Sequence, residues 1–565
     1  MGEEGGGRSC GTTKELQKLK QQAMEYYREN DVPRRLEELL NSTFYLQPAD
    51  VYGHLANCFS TFAKPPTIHR IVGKNVLDGL GLSTLQVEVF CTIQNFPKSI
   101  CSVVIPTHFE VQENTVPELV EAQEAERRLA VSTAVQWVNE TITEELRGLA
   151  PSSQAEVDCM LRAFFANKVQ EEKERKALEK SQEDSAGSVP PSQILPPPPP
   201  PPTKKRGQKP GKKDSVYIEK PVIPAGPAEP VLCGSMAIGA VSLAVAKTSA
   251  ILGGIPLYLN IALLKHNQPT PPKAENKKGL NGNKRGQQPV TGKMSHLGCL
   301  TINCDVMEQP LLLIQGVCAN LELELGTNLH LAINCAGHEL MDYSKGKYEV
   351  LMGTHKNAAE MVDLYVELIN KYPSIIALID PLRKELLFTQ DSEQWDSICN
   401  ALGSRCYVIA GTASKSISKL LEHGSISSPR SHGLIIKHTN QTTMSDLVEI
   451  TNLINSKKHI AILGSTEGES SDDSLVDLAV GLGVRFIKLG GLSRGERVTK
   501  YNRLLTIEEE LVQNETLGFN EEHTFFYFNE DAKKALEAAA TAAGELLGPR
   551  EPIFPTEVVE ESARS

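Results

Sequence analysis

Two lysines close short apolar runs in the second half of the chain, Lys437 in LIIKH and Lys488 in FIKLGG. In a βα barrel the groups that do chemistry sit where strands end on their carboxyl side, so two such lysines would project into one shared mouth. There, nearby like charge and partial desolvation lower an ammonium pKa toward general-base duty, whereas a lysine without such neighbours is simply a solvated strand terminus. The other apolar runs end on Asn334, on Ile379 with Asp380, on Ala410 with Gly411, and on Gly464.

The runs themselves are LHLAIN, IIALID, CYVIAG, GLIIKH, HIAILG and VRFIKLGG. From Ile375 through Cys406, Gly433 and His459 to Val484 they recur at 31, 27, 26 and 25 residues, each step close to one βα unit. Helical patterns fill the gaps, over residues 358–371 and 444–455, and strands apolar on both faces must be covered on both. An α/β fold follows, with either an eight-fold βα barrel or a doubly wound sheet.

Upstream, residues 14–59 read as two helices parted near Asp31 and Pro33, with another short helix starting at Pro48. Leu36, Leu39, Leu40 and Phe44 repeat at helical spacing, and the segment is too short to bury its apolar faces alone, which leaves pairing with a second copy or packing on its own chain. Residues 68–106 switch to period two and predict a hairpin turning at Phe96 and Pro97. A helical pattern with Leu129, Val135, Trp137, Val138 and Ile142 follows, and helix continues to about Lys180, making a small α+β domain.

With 565 residues, 40% hydrophobic and 23% charged, the chain can bury a sizeable core and is neither wholly disordered nor collagen-like. Its net charge of −12 argues against a general nucleic-acid binder, which needs a basic face. The polar N-terminal stretch predicts no export signal, and the apolar run over residues 231–246 is too short to span a bilayer. Twelve cysteines without a CxxC pair fit reduced thiols in a cytosolic chain better than a zinc ribbon or a disulfide framework. Cys299 and Cys304, the closest pair, lack partners at metal-ligand spacing. The seven prolines over residues 196–202 and the basic cluster from Lys204 to Lys213 belong to a solvated insert.

The stretch RFIKLGGLSRGERVTKYNRLLTIEEEL, residues 485–511, closely resembles the C-terminal signature of enolases. The likeness extends through GSMAIGAVSLAVAKTSAILGGIPLY (234–258), SKGKYEV (from Ser344), KYPSIIALIDP (371–381) and DSLVDLAVGL (473–482). Within that family the chain is similar to the divergent sperm-type branch that carries a proline-rich insert. The resemblance implies an N-terminal α+β capping domain followed by a modified βα barrel. Its division would be a helical extension over residues 1–65, the cap over 66–180, the insert over 181–230, the end of the cap and lead into the barrel over 231–265, a polar linker over 266–293, the barrel over 294–530 and a C-terminal helix and tail over 531–565. The extension looks like the small dimerisation and docking helix pairs of flagellar and kinase-anchoring proteins.

By the same resemblance the reaction is the glycolytic dehydration of 2-phosphoglycerate to phosphoenolpyruvate, with Lys437 matching the proton acceptor and Lys488 the lysine that contacts substrate. Mg²⁺ is the implied cofactor, but the three carboxylates that hold it in the family are met here by Asn334, Ile379 and Gly411. Asp380 follows Ile379 and, as a strand residue, would face the opposite way. Ser465, Thr466 and Glu467 stand where the family holds phosphate, and a negative Glu467 would repel it. Leu300 stands opposite the glutamate that acts as general acid, and Thr107 with His108 replaces a mobile serine loop. The barrel's opening, between Leu264 and Leu297, is too short and polar for its usual strands, leaving an incomplete barrel.

Two readings follow from the resemblance. One is an enolase-type lyase, weak or reliant on an active partner; the other is a catalytically degraded homologue that assembles with glycolytic enzymes. Either implies a cytoplasmic protein, in the sperm flagellum by likeness to that branch, as a homodimer or a heterodimer with an active enolase. A flagellar docking partner would engage the N-terminal helices, and no nucleic-acid or membrane partner is implied.

Overall fold

A computed structural model describes residues 9–106, 117–186, 231–266, 293–294, 299–302, 306–351, 353–383, 391–403, 405–411, 417–422, 431–465 and 469–518. The polyproline run, the basic cluster, residues 267–292 of the polar linker, Cys304, Thr107, His108, Thr466, Glu467 and the C-terminal tail lie outside the described residues.

Three helices open the chain: α1 (Ser9–Glu29), α2 (Val32–Leu46) and α3 (Val51–Phe62). Asp31, in the left-handed region at φ 54°, turns α1 into α2, and Pro33 sits in the first turn of α2, where its missing N–H costs nothing. Asp50 caps α3 by accepting the Gly53 N–H at 2.8 Å.

The cap begins with β1 (Thr67–Leu77), β2 (Ser83–Ile93) and β3 (Phe96–Val104), an antiparallel meander in that order. Its turn is at Gln94 and Asn95, both at positive φ (50° and 67°), so the expected turn at Phe96 and Pro97 is corrected. Two successive left-handed residues match the twist of a tight hairpin, and Pro97 is tolerated because β3 is an edge strand. Val87, Val89 and Cys91 alternate onto the buried face, covered by α4 (Pro117–Trp137) and α7 (Met236–Leu252). After α4 a π-helical turn (Val138–Ile142) runs into α5 (Thr143–Leu146), and α6 (Gln154–Ala186) extends six residues past the expected end near Lys180. The apolar run that starts α7 is buried on nearly every side, a core helix as expected. No single helix among the described residues is long and apolar enough to cross a membrane, and the α7–α8 (Leu257–His266) pair is bent by 105°.

Short pairing between β4 (Lys293–Met294) and β5 (Leu300–Thr301) leads to α9 (Gln309–Asn320). Then come β6 (Leu331–Asn334), α10 (Gly337–Leu340) and a second antiparallel meander of β7 (Met341–Asp342), β8 (Lys347–Leu351) and β9 (Thr354–Lys356). The remaining order is α11 (Ala358–Lys371), β10 (Ile375–Ile379), α12 (Asp391–Leu402), β11 (Tyr407–Ala410), α13 (Ile417–Glu422), β12 (Gly433–Ile436), α14 (Met444–Ser456), β13 (Ile460–Gly464), α15 (Ser474–Leu482), β14 (Phe486–Lys488) and α16 (Gly495–Gln513).

Strands β6, β10, β11, β12, β13 and β14 form one parallel sheet, each beside its successor. That monotonic order winds the sheet one way, as in a barrel, and removes the doubly wound alternative. Among the described residues six parallel strands form a curled half-barrel, and none from the barrel's opening pairs with β6 or β14. Leu378, Val408, Leu434, Ile436 and Leu463 face the helices, packing with Met361, Trp395 and Leu447. Ala377, Ile379, Tyr407, Ile409, Ile435, Ile460 and Ile462 form a separate apolar cluster on the inner side, which explains why these strands are apolar on both faces. Capping boxes, Asn357 with Glu360 and Thr443 with Asp446, start α11 and α14 just after a strand or turn, fixing the strand-to-helix geometry.

Candidate functional site

Alternation along each strand carries the inner face to the carboxyl ends. Ile435 lies in the inner cluster, so Lys437, two residues on, shares its side; Phe486 packs against the same cluster, and Lys488 follows it by two. Ile436 is in register with Leu463 and Gly464 with Lys488, so Lys437, Gly464 and Lys488 form one row across three strands. A Cβ on residue 464 would stand 3.9 Å from Lys437 Cγ and 2.9 Å from Ile435 Cγ2. Glycine therefore leaves a gap between two lysine stems about 10 Å apart, two strand spacings. Lys437 is half-buried and Lys488 exposed. The Lys488 carbonyl accepts both the Ser465 N–H (3.1 Å) and hydroxyl (3.2 Å), tying the end of β14 to the loop after β13.

On the opposite half of the sheet, Asn334 is in register with Ile379, and Asn334 is exposed while Ile379 is buried. Asp380 does not continue the strand. The strand ends at Ile379, and Asp380 adopts φ 47°, a left-handed conformation that costs a non-glycine residue on the order of 1 kcal/mol and turns its side chain back toward the sheet. Its N–H bonds the Ile409 carbonyl (2.9 Å), its own carbonyl accepts Gly337 N–H (2.9 Å), and its carboxylate Oδ1 accepts Gly411 N–H (2.8 Å). The expectation that Asp380 faces away is thus corrected: its Oδ2 lies 2.8 Å from where a Cβ on residue 411 would be.

This set does not fit the divalent cation that the resemblance implies. Mg²⁺ needs hard oxygen donors in near-octahedral order, and here an exposed amide, an isoleucine and a glycine stand at the three places, with Asp380 committed to the Gly411 backbone. Among the described residues no three His, Cys, Asp or Glu side chains gather to hold a metal. Leu300, on β5, is 53% exposed and offers no proton to a leaving group.

A cleft of about 30 Å³ opens between Val104 and Pro106 of the cap and Gly464, Ser465 and Glu469 of the barrel, lined by His438 and by neither Lys437 nor Lys488. That is room for about one water. Its floor holds an ionic cluster that the sequence reading missed. Glu469, 4% exposed, accepts Arg497 Nε (3.1 Å) and Lys500 Nζ (3.0 Å), and Lys500 also bonds the Ser470 and Glu496 carbonyls. Arg497 and Lys500 lie one turn apart on α16, a spacing that was the available signal, but their partner lies about thirty residues away in sequence. The Glu469 carbonyl accepts Gly79 N–H at 2.7 Å, and a Cβ on Gly79 would lie 2.9 Å from that oxygen, so the cap backbone docks directly on the cluster. His438, next to Lys437, points to the other side of the sheet against Gly239 of α7, and burial pushes its pKa down to about 4.

The family model described as "Enolase, C-terminal TIM barrel domain" matches residues 281–524. "Enolase 4" of Homo sapiens is 72% identical, over 100% of this chain and 99% of its own length, and "Enolase 4" of Mus musculus is 64% identical with both chains fully covered. "Enolase 4" of Xenopus laevis is 46% identical over 91% of this chain and 95% of its own.

Proposed function

The chain belongs to the enolase family, and from that premise we propose that it is an enolase-type lyase that dehydrates 2-phosphoglycerate to phosphoenolpyruvate at an attenuated rate. The observation that carries this reading is the Lys437–Gly464–Lys488 row at the carboxyl ends of β12, β13 and β14. Lys437 is the base that takes the proton from the carbon beside the carboxylate, and Lys488 offsets the negative charge that builds on that carboxylate. The C–H electron pair becomes the new C=C bond, and hydroxide leaves the neighbouring carbon. Solvent supplies the proton with which it departs as water, because Leu300 cannot.

Mg²⁺ use is typical of the family. In a relative that holds it, the metal stabilises the dianionic intermediate by several kcal/mol, so a site without the three carboxylates loses on the order of 10³-fold or more in rate. Proton abstraction depends less on the missing general acid than does loss of hydroxide. Deuterium should therefore enter that carbon of 2-phosphoglycerate in D₂O faster than phosphoenolpyruvate forms. Exchange that vanishes in Lys437→Ala supports the assignment, and exchange unchanged in that variant overturns it.

A second reading, a degraded homologue that assembles with an active enolase, is favoured by one observation: Asp380 fills the space over Gly411. Native mass spectrometry of the full chain mixed with an active enolase tests it, a mixed dimer supporting it and two separate homodimers opposing it.

A further inference from the structure

Helix α1 is exposed at every side chain described, from Lys14 to Glu29. A helix of this length draws most of its stability in a protein from packing an apolar face, and the main contacts of α1 with the described residues of its own chain are those at its junction with α2. Its apolar residues are not scattered. Leu16, Leu19, Ala23 and Tyr26 repeat at intervals of three, four and three, the narrow seam of a coiled coil, and Leu16, Leu19 and Tyr26 are each more than 60% exposed.

We propose that α1 pairs with α1 of a second copy of this chain as a parallel two-stranded coiled coil. The charges beside the seam select both the occupant and its direction. In a parallel pair the residue just before one core position faces the residue five further along the other helix, which sets Glu15 against the partner copy's Lys20 on both sides of the seam, and Gln22 against Tyr27. An antiparallel pair would set Glu15 near Glu29 and Lys20 near Lys20, like against like at both places. The exposed apolar side chains of α2, Leu40 and Phe44 among them, lie just beyond the junction and would be drawn toward the same partner. This pairing is independent of the lysine row and goes beyond the proposed reaction.

The test is oxidative cross-linking of the full chain with single cysteines at the two ends of the seam, Leu16→Cys and Tyr26→Cys, and on the far side of the helix, Gln21→Cys. The parent chain, with its own Cys10, gives the background. Parallel self-pairing predicts a disulfide-linked dimer for each seam variant alone and only background for Gln21→Cys. Lys20→Glu should cut seam cross-linking roughly tenfold, and adding Glu15→Lys should restore it. Cross-links that form only when the two seam variants are mixed would mean antiparallel pairing and overturn the proposal. Background yield at both ends, as a different partner protein or an unpaired helix would give, overturns it too. Because the cross-links report α1 alone, dimers formed through the rest of the fold do not affect the outcome.

Discussion

The carboxylate of Asp380 occupies the space that a side chain on Gly411 would need: Oδ1 accepts the Gly411 N–H at 2.8 Å, and Oδ2 lies 2.8 Å from the ideal Cβ position. Residue 411 carries no side chain, and the space beside it is filled from the neighbouring strand by a residue held in the left-handed region. The acid is kept at the barrel mouth, but it bonds protein backbone.

Gly411→Ala should destabilise the chain by about 1–3 kcal/mol, because the new methyl meets Asp380 Oδ2 inside normal contact distance. Asp380→Gly removes that oxygen. In a double-mutant cycle read by urea unfolding, the pair should be less destabilised than the sum of the single changes. Strict additivity would mean that the two residues do not compete for that space.

Mg²⁺ should not stabilise the fold. A ligand that binds only the native state adds about 2.7 kcal/mol at a hundredfold excess over its Kd, which is several degrees of Tm. Millimolar MgCl₂ should leave Tm unchanged against NaCl of equal ionic strength. A rise of that size would reveal a metal arrangement that the residues at 334, 379 and 411 do not provide.

Glu469→Gln should cost on the order of 3–5 kcal/mol, since it leaves Arg497 and Lys500 buried without their counter-charge. The loss should appear in chemical unfolding and also as faster amide exchange at Gly79, whose N–H bonds the Glu469 carbonyl. A change below 1 kcal/mol would mean that the cluster is open to solvent.

His438 makes stability fall with acid. Its folded pKa of about 4 lies below the ordinary value of 6.5, so the unfolded chain binds the extra proton first. Its contribution is flat above pH 7 and is lost as pH falls through 6.5 toward 4, by about 2 kcal/mol at pH 5. Comparing urea midpoints at pH 7.5 and pH 5 for the parent and for His438→Gln checks this. The parent should lose more than the variant, and equal losses would place the effect elsewhere.

Much of the barrel was legible because its strands are short, apolar and evenly spaced, with helical patterns between them. The hairpin turn was misplaced because Gln94–Asn95 lacks the glycine that usually signals two left-handed residues, while Pro97 nearby looked like the stronger breaker. Asp380 was misread for a related reason: alternation predicts which way a strand residue faces but not where the strand stops. The Glu469 cluster was invisible because its partners come together only once α16 packs on the loop after β13. The row of Lys437, Gly464 and Lys488 could be listed from strand ends, but its register could not, since neighbouring strands in this sheet are staggered.

The most direct test of the central claim is phosphoenolpyruvate formation from 2-phosphoglycerate by the purified full chain, with and without millimolar Mg²⁺, beside Lys437→Ala prepared in the same way. The account predicts slow turnover, insensitive to Mg²⁺ and abolished by the substitution. No turnover above that of Lys437→Ala would contradict it.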